Sequence, residues 1–462
     1  MKYISTRGQA PELTFEEAML TGLARDGGLY LPAEIPQMSQ DEIAALAGLP
    51  YEDIAFRVMW PYVSGSFAED EFKGIIARAY EGFGHAARAP LKQLNENHFL
   101  LELFHGPTLA FKDFAMQLIG QLFQVALQKR GERVTIVGAT SGDTGSAAIE
   151  AFRGLDAVDV FILFPHGRVS EVQRRQMTTP ADSNVHALAL DGDFDDCQAA
   201  VKDMFNDFDF RDGVKLAGVN SINFARVLAQ VVYYFSAATS LGAPHRKVSF
   251  TVPTGNFGDI FAGYIAKRMG LPIDRLVVAT NQNDILHRCL SGEGYYKGDT
   301  IPSISPSMDI QVSSNFERAL FYAYGEDGGA VAQLMDELKQ GGFDVSQGAM
   351  ESLRENFDSG RASEDETLAT IKATLTSSAE LLCPHSAVGV KVAEEARAGD
   401  IPMITLATAH PAKFPAAVEQ ASGIHPPLPP RMSDLYDRPE RVTRIANDLG
   451  AIQDHIRGQI TA

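Results

Sequence analysis

Lys247-Val-Ser-Phe-Thr-Val-Pro253 runs straight into Thr254-Gly-Asn-Phe-Gly-Asp259, and this junction decides the fold class. The first half is a short run of β-branched and aromatic residues closed by proline, which predicts a strand. The second half is built of small turn residues, and residues 260–269 then carry a helical apolar pattern. A strand that ends in a glycine turn and opens a helix is the repeating unit of a parallel sheet with crossover helices. The unit recurs upstream. Arg133-Val-Thr-Ile-Val-Gly138 predicts a strand, Ala139-Thr-Ser-Gly-Asp-Thr-Gly145 a loop, and residues 146–152 a helix. Further strands are predicted at 158–165, 185–190, 275–280 and 402–408, and helices at 194–205 and 224–238. Past residue 281 the pattern loosens. Residues 292–311, rich in Gly, Ser and Pro, predict a long ordered loop. Helices are predicted at 315–324, 330–339, 363–382 and 387–397, and a polar helical tail at 436–462. The fold class is therefore α/β with parallel sheets, whose ligands bind at the carboxyl ends of the strands.

Residues 1 to about 95 differ and predict a separate, mainly helical layer. Thr14 and Glu17 form a capping box ahead of an apolar helical pattern, and 39–46, 51–63 and 70–80 predict more helices. With 462 residues, 45% hydrophobic and 21% charged, the chain has the make-up of a globular protein of two or three domains. A net charge of −19 argues against general binding to nucleic acid or anionic membranes. Cys197, Cys289 and Cys383 stand far apart, so neither a disulfide framework nor a zinc site follows, and a reducing compartment is expected. The first residues are polar rather than an apolar signal core, and no run is long enough to span a membrane.

Five segments carry candidate chemistry. In Glu102-Leu-Phe-His-Gly-Pro-Thr-Leu-Ala-Phe-Lys-Asp-Phe114, turn formers and large apolar residues surround Lys112 just ahead of a helix predicted over 113–128. Burial disfavours an ammonium, so such a lysine can serve as a neutral nucleophile; otherwise its stem packs on apolar surface and its head reaches water. Gly255, Asn256, Phe257 and Gly258 predict a backbone cradle for a phosphate at a helix start, or else an ordinary turn. Neither a Walker loop nor a GxGxxG pattern is present. In the loop of Ser141, Asp143 and Thr144, hydroxyls and spare N–H groups can grip an anion, while Asp143 can equally cap the helix. Asn220-Ser-Ile-Asn-Phe-Ala-Arg226 offers an amide, a hydroxyl in Ser221 and the planar fork of Arg226, against the plainer reading of a capped helix with a solvated arginine. Thr405-Leu-Ala-Thr-Ala-His-Pro-Ala-Lys-Phe414 ends a late strand with Thr408 and His410; the histidine is either part of a site or a satisfied structural residue.

Taken together, His-Gly-Pro-Thr-Leu-Ala-Phe-Lys-Asp, Ser-Gly-Asp-Thr-Gly, Thr-Gly-Asn-Phe-Gly and Thr-Ala-His-Pro-Ala-Lys-Phe, in that order, resemble the threonine synthases. These are pyridoxal-phosphate enzymes of the tryptophan-synthase-β-like fold. Tyr3-Ile-Ser-Thr-Arg and Asp26-Gly-Gly-Leu-Tyr-Leu-Pro resemble the long form of the family, with its extra N-terminal domain. The resemblance implies two parallel-sheet α/β domains, one of residues 98–130 and 220–462 and a smaller one of 131–219, beside an N-terminal domain of 1–97. It implies that Lys112 holds pyridoxal phosphate, that the 255–258 loop binds its phosphate, and that Thr408 meets its ring nitrogen. Asp143 stands where many relatives of the fold carry asparagine against the ring 3-hydroxyl. Ser141 and Thr144 would hold the substrate carboxylate, and Asn220, Ser221 and Arg226 the substrate phosphate. The implied reaction converts O-phospho-L-homoserine and water to L-threonine and phosphate, in a cytoplasmic monomer or homodimer. Three alternatives compete with it: another pyridoxal-phosphate lyase or dehydratase of the same fold, a non-catalytic relative that binds phosphometabolites, and an ATP-dependent enzyme. Lys112 speaks against the second, and the lack of a phosphate-loop lysine against the third.

Overall fold

Two sheets carry the chain in the computed structural model, which describes residues 1–397 and 399–460. The larger has six strands in the order Phe357–Arg361, Ile273–Thr280, Val248–Pro253, Met403–Ala407, His98–Glu102, Leu91–Asn95. Neighbours run parallel except for the last pair, where Leu91–Asn95 closes one edge as an antiparallel, largely exposed strand. The smaller sheet is parallel throughout, in the order Thr443–Ala446, Val185–Asp191, Val158–Pro165, Val134–Ala139, Leu216–Ala217. Val248–Pro253 and Val158–Pro165 are buried at every position. Crossover helices cover both faces of such strands, which explains why their sequences read as apolar runs without a polar face.

Helix Phe224–Ser240 is buried on nearly every side and packs against helices Lys112–Arg130 and Gly258–Arg268. It lies at the centre of one continuous core. That core also takes in the N-terminal layer, with its helices Phe15–Thr21, Tyr51–Val63 and Glu69–Tyr80 and its small antiparallel pair Tyr3–Ser5 and Tyr30–Pro32. The capping box of Thr14 and Glu17 forms as predicted. Aromatic contacts fasten the layer down. Tyr51 meets Phe114 with ring centroids 5.4 Å apart, and Tyr3 meets Phe224 at 5.6 Å. Arg318, fully buried, donates to the carbonyls of Tyr30 and Ile222 and to the side chain of Asn315, tying the first residues to loops that line the cavity described below.

The division of the chain needs one correction at its end. Residues 220–462 do not all lie with the larger sheet. Thr443–Ala446 pairs parallel to Val185–Asp191, and helix Leu449–Gln459 sends Ile452 and Ile456 into the smaller sheet's core beside Cys197, Met204 and Phe210. The predicted all-helical tail is therefore interrupted by a strand. Four residues, mostly exposed at a sheet edge, carry too little periodicity to announce themselves. The edge strand Phe357–Arg361 was hidden for a similar reason: Phe-Asp-Ser-Gly-Arg has turn composition, and only pairing with Ile273–Thr280 makes it a strand. The region 292–311 is mainly loop, held by a polar knot in which Asn281 Nδ2 and Ser303 Oγ donate to Asp309 Oδ1 at 2.7 and 2.6 Å. Among the described residues no helix is long and apolar enough to cross a membrane.

Candidate active site

A cavity of about 710 Å³ lies at the carboxyl ends of strands from both sheets, lined among others by Ala139, Pro253 and Thr408. Lys112 sits in its wall as the first residue of helix Lys112–Arg130 and is 8% exposed. The stretch before it is folded by close contacts. Thr108 donates from its backbone N–H and its hydroxyl to the two oxygens of Asp113, at 2.8 and 2.5 Å. Gly106 lies so near Asp113 that a Cβ there would meet the aspartate's own Cβ at 2.4 Å. Ala110 bridges Ala409, and Phe111 N–H donates to Thr408 O at 2.8 Å. Lys112 and Thr408, almost three hundred residues apart in sequence, thus share one rigid corner.

Burial lowers the basicity of Lys112, helped by the charges of Lys413 and Arg226 and opposed by Asp143, whose Oδ2 is 3.6 Å from Nζ. Asp143 does not cap its helix. Instead it accepts from Lys413 Nζ at 2.8 Å and from Gln173 Nε2 at 2.9 Å. Burial alone would raise its carboxyl, but Lys413 and Lys112 outweigh that and hold it well below the usual carboxylate range. The loop around Asp143 is gathered by Thr140, whose hydroxyl accepts from the N–H groups of Gly142 and Gly145 at 2.9 Å each. Gly142 has a φ of +143°, and a Cβ there would strike the Gln173 side chain at 2.3 Å.

The 255–258 loop is organised differently. Phe257 takes the left-handed conformation with φ +62°. Its neighbours' carbonyls are tied away from the cavity: Asn256 O accepts from the N–H and the Nδ2 of Asn315, each at 3.0 Å, and Gly255 O from Ser313 Oγ at 2.7 Å. The N–H groups of Gly255, Asn256, Phe257 and Gly258 meet no acceptor among the described residues. They stand at the start of helix Gly258–Arg268, as a phosphate cradle requires.

Lys112, Asp143, Thr144, Asn220, Ser221, Arg226, Gly255, Asn256, Phe257, Gly258 and Thr408 all line the one cavity. One expected residue stands off that lining, and for another the plainer alternative falls. Ser141 is not on the lining, because the loop curls around the Thr140 hydroxyl and turns Thr144 inward instead. Arg226 is not solvated: it is 5% exposed, burial lowers its basicity to about 10, and no carboxylate among the described residues pairs with it. His410 lies outside this cavity and is structural. Its Nδ1 accepts from Ala412 N–H at 3.2 Å and its ring packs edge-on against Phe104.

The structure also adds residues that sequence reasoning missed. Lys413 is fully buried behind Asp143. His385 lines the cavity as a neutral imidazole, its basicity lowered to about 4 by burial; Nε2 accepts from Ser307 N–H at 3.1 Å, so Nδ1 carries the proton. Asp259, on the helix that follows the cradle, accepts from the hydroxyls of Tyr233 and Tyr234, and burial raises it to about 7. Ser314 joins Ser221 to Asn256 Oδ1 at 3.3 Å on either side. Lys413 and Asp259 lay within stretches read from sequence but were not singled out there; His385 and Ser314 come from segments without a chemical pattern of their own.

Comparison with known proteins agrees along the whole chain. Residues 2–80 match the family model described as threonine synthase N terminus, 85–403 that of pyridoxal-phosphate dependent enzymes, and 386–456 that of threonine synthase, C-terminal. A threonine synthase of Pseudomonas aeruginosa is 58% identical over 456 residues, covering 98% of this chain and 97% of its own. A crystal structure of PLP-bound threonine synthase from Brucella melitensis superposes with a TM-score of 0.98 at 57% identity, over 100% of both chains. The structure of yeast threonine synthase does so with 0.94 at 41% identity, over 99% of this chain and 98% of that one. With motifs, both sheets and the N-terminal layer in agreement from end to end, the chain belongs to the threonine synthase family of pyridoxal-phosphate-dependent enzymes.

Proposed function

We propose that this chain converts O-phospho-L-homoserine and water to L-threonine and inorganic phosphate, with pyridoxal phosphate held on Lys112. The residues present suit that cofactor. A buried amine of lowered basicity lies in the same cavity as four free N–H groups at a helix start and a Thr408 hydroxyl that meets no partner among the described residues. Lys112 would carry the aldehyde carbon, Gly255 to Gly258 the phosphate, and Thr408 the ring nitrogen. A neutral hydroxyl leaves that nitrogen without a full positive charge. When bound, pyridoxal phosphate supplies an electron sink conjugated to the substrate's amino group.

The observation that carries the substrate assignment is Arg226, a buried guanidinium without a carboxylate partner among the described residues, in a cavity that already has a separate cradle for the cofactor phosphate. A second phosphate, belonging to the substrate, is its natural counter-ion, with Asn220 and Ser221 completing the grip. Thr144 and the unengaged N–H groups of its loop would orient the substrate carboxylate; Ser141 would join them only if the loop shifts when substrate binds. Lys112 Nζ, which would hold the cofactor, would also take the proton from the substrate's Cα and later return one. Residues 131–219, joined by the strand and helix of 443–459, would form a small domain that closes on the larger one to keep water out until it is needed at Cβ. Three buried thiols fit a protein of the reducing cytoplasm, working as a monomer or homodimer.

The test is direct. The purified protein should absorb in the visible, borohydride should bleach the band and label Lys112, and phosphate should be released from O-phospho-L-homoserine. Lys112→Ala should lose the band and turnover together, and a variant that still makes threonine at the wild-type rate defeats the assignment. Arg226→Ala should raise KM for the substrate by at least about a hundredfold. An unchanged KM would move the substrate phosphate elsewhere.

A further inference from the structure

Lys413 is the one ammonium among the described residues with a completely buried side chain, and it does not itself line the cavity. Its Nζ has three partners: Asp143 Oδ1 at 2.8 Å, Thr108 O at 2.8 Å and Ser146 Oγ at 3.4 Å. Its backbone carbonyl accepts from Ser170 Oγ at 3.0 Å. It comes from the short turn Pro411–Lys413 after the late strand, and it meets Asp143 on the loop that opens helix Asp143–Phe152. The ion pair therefore links two segments that belong to different sheets. Burying a lysine this way is costly, and substituting an apolar pair of the same volume is often neutral or stabilising, so fold stability alone gives little reason for the pair.

The other oxygen of Asp143 supplies the reason. Oδ2 is 3.6 Å from Lys112 Nζ, so the three groups form a row of amine, carboxylate and ammonium. We propose that Lys413 is a positioning residue: it fixes Asp143 in place and balances its charge, so that Lys112's nitrogen faces a neutralised ion pair and not a bare carboxylate. The proposal rests on the reading of Lys112 as the cofactor-bearing residue. A bare carboxylate at this distance, in a buried site, would favour the protonated form of the Lys112 nitrogen and hold it there. The remaining charged or titratable groups facing this row are Arg226 and Asp259 toward Lys112, Asp113 toward Lys413, and His385 and the Cys383 thiol toward Asp143. Burial holds His385 neutral, and Arg226 acts on Lys112 without facing Asp143, so neither balances the Asp143 carboxylate as Lys413 does.

The experiment is a pH titration of the visible absorption of the holoenzyme, in wild type and three variants, with the cofactor dissociation constant measured alongside. Lys413→Met should raise the pH midpoint of the bound chromophore by at least about one unit, and Asp143→Asn should lower it by a similar amount. The double variant Asp143→Asn with Lys413→Met should return to within about 0.3 units of wild type, because both charges are gone. A purely structural role for Lys413 predicts that the double variant is at least as perturbed as either single one, and that result overturns the proposal. An unmoved midpoint in Lys413→Met overturns it as well. If Lys413→Met does not fold, Asp143→Asn and the double variant still decide: equal midpoints in those two mean that Lys413 does not act on the Lys112 nitrogen. A wild-type holoenzyme without a visible band, or a band that survives Lys112→Ala, defeats the reading of Lys112 itself.

Discussion

The loops 140–145 and 254–259 have the same local construction, a buried parallel strand running through a glycine turn into a helix, and they are put to opposite uses. In the later loop the carbonyls are tied outward by Ser313 and Asn315, and the four N–H groups are left free. In the earlier loop Thr140 consumes two of the N–H groups, and the helix start carries a charged side chain, Asp143, locked between two lysines. One loop presents a row of free backbone N–H groups; the other places a carboxylate beside an amine. Both sequences open on threonine and carry two glycines. Their roles differ because of what other segments bring: Asn315 and Ser313 to one, Lys413 and Gln173 to the other.

This contrast makes the loops separable by mutation. The largest effect is expected from Asp143→Ala, which leaves the Lys413 ammonium buried with only a carbonyl and a hydroxyl for company. Urea unfolding of this variant should show a loss of about 3–5 kcal/mol. Asn256→Ala at the matching place in the other loop should cost well under about 1 kcal/mol, since its side chain only accepts one long bond from Ser314. Similar losses in the two would erase the distinction between the loops.

Next in size is Gly255→Ala. Its new Cβ would meet the carbonyl oxygen of Ser307 at 2.7 Å, a backbone atom that has nowhere to retreat. The cradle should shift, and titration with pyridoxal phosphate should show at least about tenfold weaker binding with little change in unfolding. Tight binding in this variant would mean that the phosphate sits elsewhere.

The smallest effect concerns the helix behind the cradle. Asp259 is raised to about 7 by burial, above its value in the unfolded chain, so the folded form binds a proton that the unfolded form has already lost. The stability from that proton is fully present at low pH and is lost as pH rises through about 7. Between about pH 6 and 8 the wild type should lose roughly 1 kcal/mol from this source. Asp259→Asn keeps an acceptor for Tyr233 and Tyr234 and should remove that part of the slope. Thermal unfolding across the range reads it; identical slopes would mean that Asp259 is charged throughout.

Much of the site could be read because its chemistry is local. Glycines next to a strand end, a lysine among turn formers and apolar residues, and a threonine closing a late strand each signal through their neighbours, and the resemblance joined them into one family. Arg226 was legible as a fork but not as a buried one, since burial depends on which helices surround it. Ser141 was not separable from its neighbours, because hydroxyls in a small-residue loop look equivalent until one of them, Thr140, is seen to gather the turn. His385 and Ser307 gave no local pattern to read, and Asp259 closed a glycine turn without showing that tyrosines would bury it.

What the sequence determined by itself was the succession of strands, glycine turns and helices, and with it the carboxyl-end location of the site, because hydrophobic periodicity and turn chemistry are properties of adjacent residues. Only the tertiary structure decided that Thr443–Ala446 returns to the smaller sheet, that Arg318 binds the N-terminal layer to the cavity's loops, and that Lys413 stands behind Asp143. Those are pairings across up to some three hundred residues, and their energy comes from burial and from charge held in a low-dielectric interior, neither of which exists until the chain has closed on itself.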